Sequence, residues 1–283
     1  MQSLNLAKLA KKRISVADVI SLKKEIKSRG LNTVCQSAKC PNIGECFKNK
    51  TATFLILGKN CTRKCSFCSV QKHKPEHLNE KEPIEIAKLI KKIGISYSVI
   101  TSVTRDDLRD GGASHFVKTI FKIKKIVPQT KVEVLVPDFL GNISSVDMIL
   151  NAKPDVFAHN LETVSGLYDK VRIGADYMRS LNILKRAKSF SFQVKTGIMV
   201  GLGETQEQLF KTIKDIKSAN IDILTIGQYL SPTKDHYPII KEYTDEEFKR
   251  IEDFAASIGI KQVIVGRYIR SSYLSEKYFK KFD

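Results

Sequence analysis

The chain has 283 residues, enough for one large domain or two small ones, and its 42% hydrophobic content is ordinary for a globular protein. Its formal charge, 48 basic minus 30 acidic residues, is +18, which favours anionic partners, yet the lysines are spread through every predicted helix without interleaved aromatics. That is the pattern of a solvated basic surface rather than a nucleic-acid platform, so no nucleic acid is expected. The longest apolar runs fall far below the roughly 18 residues of a membrane span, and the opening MQSLNLAKLAKKR has no apolar signal core, so no membrane is expected and the chain reads as cytoplasmic.

In chain order, three cysteines come first: Cys35, Cys40 and Cys46 in CQSAKCPNIGECF, spaced C-x4-C-x5-C. A strand is predicted at TFLIL, around 54–57, and directly after it stand Cys61, Cys65 and Cys68 in CTRKCSFCSV, spaced C-x3-C-x2-C. Pro83 suits a first helical position, Ile86, Leu89, Ile90 and Ile93 share one face, and Gly94 marks a helix end. A strand at 97–103 leads into the polar segment TSVTRDDLRDGGASHF. The next helix takes Phe116, Val117, Ile120, Phe121 and Ile123 as its apolar face and is halted by Pro128. Further strands are predicted at 131–137, 155–160, 192–200 and 222–229, and Thr244 with Glu247 forms a capping box ahead of Phe248, Ile251 and Phe254.

Six strand–helix alternations imply parallel strands with right-handed crossovers, as an open sheet or a barrel. An α/β fold with a partial (β/α)6 barrel of the TIM type fits best, and such folds carry their chemistry on the loops that follow the strands. No repeat or Pro/Gly/Ser linker interrupts the chain. We therefore expect a barrel core over 51–260, an N-terminal extension over 1–50 with the first cysteines, and a C-terminal extension over 261–283.

Six cysteines within 34 positions of a cytoplasmic chain point to metal rather than disulfides. A structural zinc site closes with four donors, and neither triplet supplies them. Three thiolates on a 4Fe-4S cluster leave one iron open, and an open iron can be chelated by a cofactor.

This arrangement, C-x3-C-x2-C after the first barrel strand, resembles the radical S-adenosylmethionine superfamily, and the first triplet together with longer segments resembles the lipoyl synthase family within it. Those segments are TATFLILGKNCTRKCSFCSV, VITSVTRDDLRDGGASHF, VEVLVPDF, HNLETV, KTGIMVGLGET, TIGQYLSPTKDH and RSSY, in the family's order along nearly the whole chain. Three features depart from the family: Phe47 stands where tryptophan is common, the segment before Cys35 is short, and VGRYIRSSY lacks a Gly-Pro.

The resemblance implies a radical SAM barrel with two 4Fe-4S clusters. A catalytic one on Cys61, Cys65 and Cys68 binds S-adenosyl-L-methionine, and an auxiliary, sacrificial one rests on Cys35, Cys40 and Cys46 with Ser272 as fourth ligand. It implies insertion of two sulfur atoms at C6 and C8 of a protein-bound octanoyl group, with methionine and 5'-deoxyadenosine as by-products. These C–H bonds have no acidity for a base to exploit, so a radical is needed. Implied partners are octanoylated lipoyl carrier domains or glycine cleavage H protein, an electron donor such as flavodoxin or ferredoxin, and an iron-sulfur carrier for cluster repair. No cysteine follows Cys68, so any further protein ligand is another residue type; the alternative for Ser271 and Ser272 is that they cap a terminal turn.

By family position the cofactor contacts are Thr101, Asp107, Asn160, Glu162 and Lys195, with Arg179 as a forked partner for a carboxylate. Each could equally close an internal ion pair or cap a helix. His159 and His236 read as structural, and GLGET as a turn near the cofactor. Other readings are a different radical SAM sulfur-inserting enzyme, or a basic, metal-dependent nucleic-acid-binding protein.

Overall fold

A computed structural model describes residues 16–38, 40–48, 51–190 and 192–279. The first fifteen residues, where a signal core was sought, lie outside these.

Among the described residues, eight strands form one sheet in sequence order. They are β1 (Asn32–Thr33), β2 (Thr53–Ile56), β3 (Tyr97–Ser102), β4 (Lys131–Leu135), β5 (Val156–Ala158), β6 (Gln193–Val200), β7 (Ile223–Gln228) and β8 (Gln262–Gly266). β1 is antiparallel to β2, and every later pair is parallel. All six predicted strands are present, in the partial parallel barrel expected, and β8 adds a seventh parallel strand at a place where the sequence reading put none. β2 and β7 are buried at every position, as strands covered on both faces must be.

The helices in order are α1 (Val16–Ser28), α2 (Val34–Ser37), α3 (Ile43–Lys48), α4 (Glu82–Ile93), α5 (Ala113–Ile126), α6 (Ile143–Asn151), α7 (Tyr168–Val171), α8 (Tyr177–Ser189), α9 (Gln206–Ser218), α10 (Asp245–Ser257) and α11 (Ser275–Phe279). α4 has Pro83 in its first turn and buries Ile86, Leu89 and Ile90. It ends at Gly94, whose φ of 68° is the left-handed cap that glycine adopts without strain. α10 carries the Thr244–Glu247 box, and α9 a second box from Thr205 and Gln208. One expectation is corrected on α5. Phe116, Ile120 and Ile123 are buried, but Phe121 is 68% exposed, because a residue five positions after Phe116 falls off the stripe.

After β8 the chain turns back across the inner face of the sheet. Two glycines make room for it. A Cβ on Gly227 would lie 2.1 Å from the Ile269 carbonyl oxygen, and one on Gly197 would lie 2.6 Å from Ser271 Oγ. α11 then packs at the strand starts, with the Phe279 ring 5.7 Å from that of Tyr97.

Candidate radical and sulfur site

A cavity of about 510 Å³ opens at the C-terminal ends of the strands. Cys61, Cys65 and Cys68 border it from the loop after β2, Cys35 and Cys40 from the N-terminal segment, and Ser271 and Ser272 from the returning C-terminal segment. Cys46 is buried beside them in α3, close enough for the charges of Cys35 and Cys40 to act on it. One chamber thus gathers five of the six cysteines and the RSSY serines, from segments more than two hundred positions apart.

The loop with Cys61, Cys65 and Cys68 is fixed on several sides. Cys61 N–H donates to the Gln71 carbonyl at 2.8 Å, Thr62 N–H to Thr104 at 3.1 Å, Ser66 N–H to Val171 at 3.0 Å, and the Ser66 carbonyl accepts from Tyr237 N–H at 2.9 Å. Cys61 Sγ accepts from the backbone N–H of Arg63 at 3.5 Å and of Thr104 at 3.4 Å.

Arg63, inside the triplet, forks onto Asp106 at 2.8 and 3.0 Å and reaches Asp138 Oδ1 at 2.5 Å. Burial alone would raise the Asp138 carboxyl, but the Arg63 hydrogen bond and charge outweigh it and bring it down to about 2.

Burial pushes the Cys46 and Cys68 thiols up to about 12 and raises Cys35 and Cys65 as well, with the Arg172 charge opposing it at Cys65. Thiols so raised stay protonated near neutral pH until a cationic centre displaces their protons. Among the described residues no three His, Cys, Asp or Glu converge on one point for a single ion. Five of the six thiols border one cavity, and thiolates that each take one iron suit a cluster. The donor set therefore fits 4Fe-4S ligation.

Of the expected contacts, Thr101, Asn160 and Glu162 line the cavity. Thr101 Oγ1 donates to the Leu135 carbonyl, and Asn160 Nδ2 donates to Glu162 Oε1 at 3.0 Å. Glu162 adopts φ 65°, held there by its N–H on Gly197 O at 3.0 Å and by Met199 N–H on its carbonyl at 2.8 Å. Left-handed backbone at a non-glycine residue is held by its surroundings and aims this side chain inward. Burial raises the Glu162 carboxyl against the pull of Arg172 and the Asn160 bond.

The other three are not on the cavity wall. Asp107 is paired with Arg105 at 2.8 and 2.9 Å, Arg179 reaches Asp138 at 3.2 Å, and Lys195 is buried against Glu133 at 3.0 Å. Arg172 and Arg270, which sequence reasoning passed over, line the cavity as cations together with Arg63 and Lys72. Arg172 donates to Tyr168 Oη at 3.0 Å, to Ser180 Oγ at 2.9 Å and towards His159 Nε2 at 3.4 Å. His159 Nδ1 faces the Val136 carbonyl at 2.8 Å, so its proton is assigned to Nδ1. Burial, then the Arg172 charge, lowers it to about 3 and keeps it neutral. His159 is structural, as read. Arg172 carried no motif signal; only tertiary placement reveals it.

The N-terminal cysteine segment meets the loop of the second triplet and the returning C-terminal segment through side chains. Ser69 Oγ donates to the Ser37 carbonyl at 2.7 Å, Asn42 Nδ2 to the Tyr268 carbonyl at 2.8 Å, and Tyr273 Oη to Glu45 Oε2 at 2.8 Å.

Residues 55–216 match the Radical SAM superfamily. A lipoyl synthase of Caldicellulosiruptor saccharolyticus is 52% identical over 265 residues, covering 93% of this chain and 92% of that protein. One of Caldanaerobacter subterraneus subsp. tengcongensis is 50% identical, covering 93% of each, and one of Aquifex aeolicus 48%, covering 89% and 92%. Among solved structures, methylornithine synthase shares the fold with a TM-score of 0.55 at 15% identity, over 81% of this chain and 80% of that one. Streptococcus suis SuiB bound to S-adenosylmethionine gives 0.60 at 14%, over 79% and 53%.

Proposed function

The chain belongs to the lipoyl synthase family of the radical SAM superfamily, and from that premise we propose that it inserts sulfur at C6 and C8 of an octanoyl group held on a carrier domain. Family membership makes it an enzyme, a sulfurtransferase, with two 4Fe-4S clusters and S-adenosylmethionine as cofactors. The observation that carries the proposal is the single cavity bordered by Cys35 and Cys40, by Cys61, Cys65 and Cys68, and by the RSSY serines. A radical source and a sulfur source must face the same carbon, and one chamber allows that.

When bound, the catalytic cluster and S-adenosylmethionine supply the 5'-deoxyadenosyl radical that unactivated C–H bonds require. The chain's own residues do the rest. Cys61, Cys65 and Cys68 would hold the catalytic cluster, and Cys35, Cys40 and Cys46 the auxiliary one. Ser272 is the proposed fourth ligand there, supported by the commitment of the neighbouring Ser271 hydroxyl to Asn160 Oδ1 at 2.9 Å. Thr101, Asn160 and Glu162 offer hydrogen bonds to ribose and amine groups, and Arg172 offers charge to a carboxylate. Leu55, Val103, Leu135, Val136, Met199 and Leu230 give the cavity aliphatic walls that suit an acyl chain and exclude water.

Proposed partners are octanoylated carrier domains, including a glycine cleavage H protein, met by complementary charge from a chain of net +18. A flavodoxin or ferredoxin as electron donor and an iron-sulfur carrier for cluster repair complete the setting, which we place in the cytoplasm. Among the described residues no helix is long and apolar enough to cross a membrane.

The test is anaerobic reconstitution followed by incubation with reductant, S-adenosylmethionine and an octanoylated carrier peptide. The peptide should gain two sulfur atoms by mass. Release of 5'-deoxyadenosine with an unchanged peptide would refute the assignment.

A further inference from the structure

Lys195 sits on the inner face of β6, two residues before Gly197 and four before Met199, which lines the cavity. Its ammonium lies 3.0 and 3.2 Å from the Glu133 carboxylate oxygens and donates to Ser275 Oγ at 2.8 Å, while Tyr97 Oη donates to Glu133 Oε2 at 2.5 Å. An ammonium can only donate, so Ser275 accepts from it and must spend its own proton elsewhere. That proton goes to the Ser271 carbonyl at 3.2 Å. Ser271 in turn donates to Asn160, and the path ends beside Ser272 at the cavity wall.

A buried ion pair adds little stability over an apolar pair of equal size. What this one adds is direction, since it makes Ser275 accept from Lys195 and turns the Ser275 proton onto the Ser271 carbonyl. Lys195 and Ser275 themselves stand off the cavity lining, so they act through their neighbours.

We infer that Lys195 is a positioning residue: acting through Ser275 and the Ser271 carbonyl, it anchors the returning C-terminal segment to the sheet and sets where Ser272 meets the cavity. The anchoring stands on these contacts alone; its consequence for a cluster rests on the proposed ligand role of Ser272.

The experiment follows backbone hydrogen exchange in the holoenzyme together with the paramagnetic signature of each reduced cluster, for wild type, Ser275→Ala, Lys195→Met and Ser272→Ala. Amides of 269–275 should exchange about tenfold faster in Ser275→Ala and Lys195→Met, as expected when a buried hydrogen bond of a local unit is lost, while those of β7 keep their rate. The signature of the cluster on the N-terminal cysteines should shift in both variants and that on Cys61, Cys65 and Cys68 should not. Unchanged exchange in Ser275→Ala, which keeps the Lys195–Glu133 pair and so decides alone if Lys195→Met does not fold, overturns the anchor. A signature unmoved by Ser272→Ala overturns the ligand reading instead and leaves the anchor to be judged by exchange.

Discussion

Cys61, Cys65 and Cys68 ride on a loop whose backbone is bonded to the 71, 104, 171 and 237 regions, whereas Cys35 and Cys46 ride on two short helices and Cys40 on the connection between them. The first loop owes its place to main-chain geometry and the buried Arg63 pairs. The second segment joins the sheet through a two-residue strand and meets the rest of the cavity wall largely through the side chains of Ser69, Asn42 and Tyr273. Main-chain ladders hold a site rigidly, and a few side-chain bonds hold it while leaving it able to yield. A site that must return unchanged each turnover suits the first construction. A site that gives up its sulfur suits the second.

Breaking one wall should therefore not break the other. The largest effect is expected from Cys65→Ala, which should abolish 5'-deoxyadenosine formation, while Cys40→Ala keeps that activity and yields no lipoyl product; chromatography of the nucleoside beside mass analysis of the carrier reads both. Equal loss of cleavage in two folded variants would merge the walls into one functional unit. Next, Ser272→Ala should retain nucleoside release and fail mainly at sulfur insertion, with Ser271→Ala milder.

Stability should divide the same way. Arg63→Ala leaves the fully buried Asp138 with Arg179 as its remaining cation and should cost about 2–3 kcal/mol in denaturant unfolding. Tyr273→Phe removes one part-buried hydrogen bond to Glu45 and should cost about 1 kcal/mol, with its effect confined to exchange in residues 34–48.

The rigid side also carries a pH slope. His159 is held near 3 against an ordinary value of 6.5, so the unfolded chain binds the extra proton first. Its contribution is complete above about 6.5 and is lost as pH falls towards 3. Urea midpoints across that window should fall for wild type and flatten for His159→Gln, which can keep both hydrogen bonds.

How much of this was legible in the sequence follows from what each signal depends on. The six core strands and the caps at Gly94 and Thr244 are local patterns, and they appear where composition put them. β8 was missed because QVIVG is short and lies in what read as a terminal extension. Phe121 was misplaced because five positions after Phe116 lie about 140° round a helix of 3.6 residues per turn, well away from the buried stripe. The cysteines were visible by spacing alone. Arg172 was not, since a buried arginine announces itself only through Tyr168, Ser180 and His159, three residues from three places. Lys195 looked like a cofactor contact, yet it lies too early on β6 to reach the wall and pairs with Glu133 instead.

Asn42 with Tyr268 and Glu45 with Tyr273 are separated by 226 and 228 positions. During synthesis the chain emerges with Cys35, Cys40 and Cys46 first, and they wait while the whole parallel sheet is made before residue 273 arrives to meet them. Closing so long a loop is also the slow kind of contact. The proposed fourth ligand, Ser272, therefore becomes available to these cysteines only after the sheet has been made.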